Sequence, residues 1–136
     1  MTYCVAIRLD VATFCKMKVY EKVDDRVIII LSSGNLSVTQ AVINMLDRHK
    51  FAASDEPTIW NAQSMFDVAS LAGEALREIQ RRDGPSLSQS GIDASANLIV
   101  GGQITGENQR LFHLYPQGNF IESSEETPYF QLGESK

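Results

Sequence analysis

The sequence predicts an α+β chain in which strands, two amphipathic helices and strands again build two sheets flanked by helices. Three observations carry this. Residues 2–9 alternate, with Tyr3, Val5, Ile7 and Leu9 on one face; two apolar stripes of helical period follow in mid-chain; short strand patterns separated by glycine turns fill the segment after residue 97.

In order along the chain, residues 13–20 read as a second short strand, Asp24, Asp25 and Arg26 as a turn, and residues 27–31 (Val-Ile-Ile-Ile-Leu) as a continuously apolar, buried strand. That strand ends in Ser32-Ser33-Gly34-Asn35 and runs into a helix whose start is marked by the capping-box spacing of Ser37 and Gln40. Val38, Val42, Met45 and Leu46 make one stripe on it. Residues 51–61 form a loop, and Ser64 with Asp67 caps a second helix whose apolar face is Val68, Ala72, Ala75, Leu76 and Ile79. The helix is expected to end near Arg81-Arg82-Asp83-Gly84-Pro85, with cations, glycine and proline in that order. Thr39, Asn44, Asp47, Glu74, Arg77 and Glu78 are expected on the outer sides of the two helices. Residues 97–104 and 110–115 form a hairpin, Gly118-Asn119 turns into Phe120-Ile121, and Thr127-Pro128 leads to a last strand over 129–132. Gly101-Gly102 lies within a strand pattern with no helix behind it, so a bulge or a close strand approach is expected rather than a phosphate loop.

Composition narrows the function classes. With 136 residues there is room for one domain, residues 1–136, and 43% hydrophobic with 21% charged residues is ordinary for a globular protein. The net charge of −5 argues against nucleic acid or an anionic membrane as a partner. No secretory apolar region and no long apolar run is present, which makes the cytoplasm the expected location. Cys4 and Cys15 fall in strand patterns and read as reduced core thiols. His49, beside Arg48 and Lys50, reads as a helix C-terminal cation, and His113 as one polar position in a strand. Neither belongs to a ligand-spaced cluster, so no metal and no cofactor is implied.

Thr2 directly follows Met1 at the start of the first strand. Removal of the methionine would leave one residue carrying a hydroxyl and a free α-amine, a nucleophile with its own base. An α-amine with a pKa of about 7.7 to 8 is partly unprotonated at neutral pH and can take the hydroxyl proton through a water. The strand, glycine turn and helix around Gly34 leave backbone N–H groups available to an anion. Taken alone, Lys16 and Lys18 read as solvent-facing strand lysines, and Gly34 as a glycine needed for its backbone freedom at the turn.

Six blocks in order change that reading: Met-Thr-Tyr-Cys-Val-Ala at 1–6, Phe14-x-Lys16-Met17 with Val19, Leu-Ser-Ser-Gly-Asn-Leu at 31–36, Gly-Glu-Ala-Leu-Arg-Glu at 73–78, Gly-Gly-Gln-Ile at 101–104 and Tyr-Pro-Gln-Gly-Asn-Phe-Ile at 115–121. Together they resemble the bacterial "ancestral β-subunit" group, Anbu, of the proteasome-type N-terminal nucleophile hydrolases. The resemblance implies a four-layer αββα sandwich, incomplete in this sequence, and a threonine peptidase or amide hydrolase subunit in a homo-oligomeric ring or spiral. It makes Thr2 the nucleophile, Lys16 the cation that lowers its pKa, and the Gly34 N–H the oxyanion donor. It sets Phe14, Ser32 and Leu36 near the substrate-binding pocket. An ammonium within about 4 to 6 Å favours an alkoxide-like oxygen, and a fixed N–H stabilises a tetrahedral oxyanion by about 3 kcal/mol.

The sequence departs from that group in two places. Asp10 is followed directly by Val11, where the group has a second strand carrying an Asp-Ser-Arg element, and the sequence stops at Lys136, where the group continues. Deleting an interior strand leaves its neighbours' backbone groups unpaired. The expectation is therefore a molecule holding further residues between Asp10 and Val11, with their Cα atoms well beyond the 3.8 Å of bonded neighbours. The alternative to an enzyme is a catalytically inactive structural subunit of a proteasome-like assembly.

Overall fold

The computed structural model describes residues 16–48 and 56–133. The strand expected over residues 2–9, the Asp10–Val11 junction, Cys4, Cys15 and His49 lie outside that set. Seven elements follow in the order β1 (Met17–Lys22), β2 (Arg26–Gly34), α1 (Leu36–Arg48), α2 (Met65–Gln89), β3 (Ala96–Ile104), β4 (Arg110–Leu114) and β5 (Phe120–Glu122). The strands form one antiparallel sheet in the order β1-β2-β3-β4-β5, and both helices sit in the crossover from β2 to β3.

Alternation decides which side of the sheet each residue serves. Tyr20, Ile28, Ile30, Leu98, Val100, Phe112 and Leu114 face the helices and join Val38, Val42, Leu46, Met65, Val68, Ala72, Leu76 and Ile79 in the main core. The opposite face carries a small cluster of Leu31, Ile99 and Leu111, with Phe130 and Leu132 against it. Val27 on that face is 43% exposed. The run 27–31 is therefore half-buried rather than wholly buried, because helices cover only one face among the described residues. Among the described residues the strands make one sheet, where the sequence pattern predicts two.

Local chemistry shifts several boundaries. The N-cap of α1 is Asn35, not Ser37: the Asn35 Oδ1 accepts the Val38 amide at 3.2 Å and the Ser37 hydroxyl at 2.7 Å. Thr39 is buried instead of outward-facing, its hydroxyl satisfied by the Leu36 carbonyl at 3.0 Å. Arg26 opens β2 rather than closing the turn, and is buried with its guanidinium donating to the Ile59 carbonyl at 2.8 Å. Ser64 caps α2 as expected, accepting the Asp67 amide at 3.1 Å. The end of α2 does not match expectation: the helix runs through Gly84 and Pro85 to Gln89. Leu87 packs against the core from that extension, and the Gly91 and Ile92 amides close it onto the Ser88 and Leu87 carbonyls at 3.0 and 2.9 Å. No strand forms at 129–132; Phe130 and Leu132 alternate because they lie against the sheet, not because they pair. At Gly102, φ is 154° and an added Cβ would collide with the Val27 carbonyl, while the β2–β3 register runs unbroken. Of the two accounts of the glycine pair, close strand approach is the one observed.

Candidate active site

The start of β1, the end of β2 and the N-terminal half of α1 line a cleft of about 300 Å³. Lys16 and Lys18 stand two residues apart, so they share the helix-facing side of the sheet with Tyr20. Ser32 fixes the start of β1 by donating its amide to the Lys16 carbonyl at 3.0 Å. Leu36, Gln40 and Asn44, spaced i, i+4 and i+8 on α1, close the other wall.

Gly34 ends β2 at φ 105°, where an added Cβ would overlap the Ser95 carbonyl oxygen. Asn35 holds this corner, its amide donating to the Ser95 carbonyl at 2.9 Å and its side-chain nitrogen to the Asp93 carbonyl at 3.0 Å. Because the Ser32 amide points to β1 and the Asn35 amide to β3, alternation turns the Gly34 N–H toward the β1 edge of the strand.

Of the residues expected at the site, Lys16, Ser32 and Leu36 meet in this one cleft, with Gly34 two residues beyond Ser32. Thr2 and Phe14, and so the contact expected between Thr2 and Lys16, lie outside the described residues. Lys18, Gln40 and Asn44 were not anticipated there. The i, i+2 relation of the lysines and the second i, i+4 stripe on α1 were signals that could have found them.

The charge on the cleft rim is shaped by one pair. Lys18 Nζ lies 3.0 Å from Asp47 Oδ2 and 5.4 Å from the Tyr20 ring centroid. Burial, then the Asp47 carboxylate, push the Tyr20 hydroxyl pKa far upward, so the phenol stays neutral. His113 belongs to the other face, stacked on Tyr115 at 4.5 Å and within 3.3 Å of Asn97 Oδ1; burial lowers its pKa. Among the described residues no group of three metal-ligating side chains converges, and no helix is long and apolar enough to cross a membrane.

No protein-family model matches the sequence, and no curated protein matches it. Solved structures do. The chain is similar to Anbu (ancestral β-subunit) from Yersinia bercovieri, with 44% identity and a TM-score of 0.81 over 92% of this chain and 50% of that one. It is also similar to Anbu from Pseudomonas aeruginosa, solved as a helical assembly, with 38% identity and a TM-score of 0.83 over 92% and 51%. An Anbu (Gly-1) mutant from Hyphomicrobium sp. strain MC1 matches with 40% identity and a TM-score of 0.78 over 92% and 49%. The chain thus spans about half the length of the solved structures it matches.

Proposed function

Because the chain belongs to the Anbu (ancestral β-subunit) group of proteasome-like subunits, we propose that it is a threonine-type peptidase or amide hydrolase subunit, a single proteasome-β-like domain working in the cytoplasm within a homo-oligomeric ring or spiral. The observation that supports this most directly is the convergence of Lys16, Ser32 and Leu36 in one cleft beside the Gly34 turn. In the proposed reaction Met1 is removed and the α-amine of Thr2 takes the Thr2 hydroxyl proton through a water. The Lys16 ammonium favours the resulting oxygen anion. That oxygen attacks the substrate carbonyl, and the Gly34 N–H stabilises the tetrahedral oxyanion. The amine leaves with a proton, an ester on Thr2 remains, and water releases the acid and restores the hydroxyl. The assembly of the Pseudomonas aeruginosa protein lends weight to the oligomer.

One observation favours a second reading, a non-catalytic structural subunit: Val11 follows Asp10 directly, so the Asp-Ser-Arg element that would supply an orienting carboxylate is missing from the sequence. Intact-mass measurement and reaction with an electrophile selective for an N-terminal threonine, followed by peptide mapping, separate the two. Loss of Met1 and modification at Thr2, absent in Thr2→Ala, supports the hydrolase. Retained Met1, or no modification at Thr2, supports the structural subunit.

A further inference from the structure

We propose that Lys18 is a specificity-determining residue, selecting a substrate with an acidic side chain on the acyl side of the bond to be cleaved. The inference rests on the hydrolase reading above and adds the substrate class. Lys16 and Lys18 line the same cleft from one strand face, with the Lys18 ammonium held at the rim by Asp47. Residues two apart on a strand are separated by about 6.6 Å. A glutamate carboxyl stands about 5 Å from its own main-chain carbonyl, counted over three carbon–carbon bonds and the carbonyl's attachment. A glutamate whose carbonyl is held beside Lys16 is therefore long enough to bring its carboxylate within reach of Lys18.

The walls suit such a side chain. No carboxylate lines the cleft among the described residues. Ile30, Leu36 and Ile43 give apolar contact for a methylene stem, while Gln40 and Asn44 offer amide donors to a carboxylate. Asp47 does not consume Lys18: the pair is 40% and 41% exposed, and an ammonium has three donors, so Asp47 holds the ammonium in place while another acceptor binds. A basic side chain would meet two ammonium groups. A bulky apolar one would strip water from Gln40 and Asn44 without replacing their hydrogen bonds.

Two measurements test this with the full chain. Peptide vinyl sulfones bearing Glu, Leu or Lys next to the electrophile are compared for their rate of Thr2 labelling. N-acetylated tripeptides ending in Glu, Leu or Lys are titrated by calorimetry, which needs no reactive Thr2. The expected result is a preference for Glu over Leu of about tenfold in both, the size of one charge-assisted contact, with Lys weakest. Lys18→Met removes the preference, Lys18→Arg keeps it, and Asp47→Asn increases it. A preference for Leu or Lys, or a Glu preference unmoved in Lys18→Met, overturns the inference while Thr2 labelling leaves the hydrolase reading intact. Absence of labelling by every probe overturns the hydrolase reading instead, and the calorimetric ranking then decides whether Lys18 selects an acid.

Discussion

Gly34 and Ser95 approach so closely that a Cβ on Gly34 would overlap the Ser95 carbonyl oxygen, the acceptor of the Asn35 amide at 2.9 Å. The contact ties the end of β2 to the start of β3 at the corner where α1 begins. It also fixes the direction of the Gly34 N–H, so the strain-free glycine and the proposed oxyanion donor are one requirement. Gly34→Ala is expected to destabilise the protein by about 2 kcal/mol or more, from φ 105° and the collision together. Urea unfolding checks this, and an unchanged midpoint would show that the corner relaxes freely.

Lys16 is exposed, and its side chain has no partner among the described residues, so Lys16→Ala should shift stability by no more than about 0.5 kcal/mol. If Lys16 tunes Thr2, the same change lowers the Thr2 labelling rate by about a hundredfold or more. Parallel unfolding and labelling measurements separate a chemical role from a structural one. Equal labelling rates in both proteins would remove Lys16 from the mechanism.

Glu107 reaches from the β3–β4 turn to the first amide of α2, accepting the Met65 N–H at 2.8 Å, and pairs with Arg110 at 3.2 Å. A carboxylate at a helix start satisfies an otherwise unbonded donor and complements the helix dipole. Glu107→Ala should cost about 1 to 2 kcal/mol. Ser64 still caps the helix in that variant, so circular dichroism should show the native helix content while the unfolding midpoint falls.

These contacts mark the limit of what the sequence discloses. The stripe Val38, Val42 and Leu46 is core as its spacing predicts, and the Ser64–Asp67 cap forms as read, because both depend on residues within one or two turns. Lys18 with Asp47 spans 29 residues and Met65 with Glu107 spans 42, and no local period encodes such a meeting. The site was legible in part for the same reason: resemblance supplied Lys16, Ser32 and Leu36 and the i, i+2 relation puts Lys18 beside Lys16, whereas the wall that Gln40 and Asn44 form opposite them is set by tertiary packing. Thr39 was misplaced because a threonine hydroxyl can satisfy itself on the preceding turn and be buried.

Acid should weaken the fold in two windows. Burial lowers the His113 pKa, so the unfolded chain, with histidine near 6.5, binds the proton more readily and stability falls as pH drops through about 6.5 toward the lower native value. The Arg110 guanidinium, bonded to Glu122 at 2.6 and 2.9 Å, holds the Glu122 carboxyl below its usual range. That contribution is present above the unfolded carboxylate pKa of about 4.3 and is lost as pH falls through the native one. Denaturant midpoints between pH 7.5 and 3 should show both limbs. His113→Asn should flatten the first and Glu122→Gln should reduce the second, to which Asp25, Glu78 and Asp93 also contribute; a midpoint independent of pH from 7.5 to 5.5 in the parent protein would refute the first assignment.

The continuation of α2 through Gly84 and Pro85 has a consequence for stability. Pro85 has no amide to donate to the Arg81 carbonyl, and an interior proline costs a helix about 3 kcal/mol relative to alanine. Gly84 costs about 1 kcal/mol more, and a Cβ there meets only the Gln80 side-chain oxygen at 3.3 Å, the end of a flexible chain. The helix persists because Leu87 is held against the core and Gln80 donates to the Ala94 carbonyl at 2.7 Å, anchoring both sides of the break. Gly84→Ala should therefore stabilise the protein by about 0.5 to 1 kcal/mol. Pro85→Ala should stabilise it further, because it restores a helical hydrogen bond at an exposed site. Leu87→Ala should do the opposite and release the last turns, read as a loss of helical signal before the global transition. If Pro85→Ala lowers the unfolding midpoint, the proline is fixing the path of the chain into Gly91, and the end of α2 is set by its turn rather than by its packing.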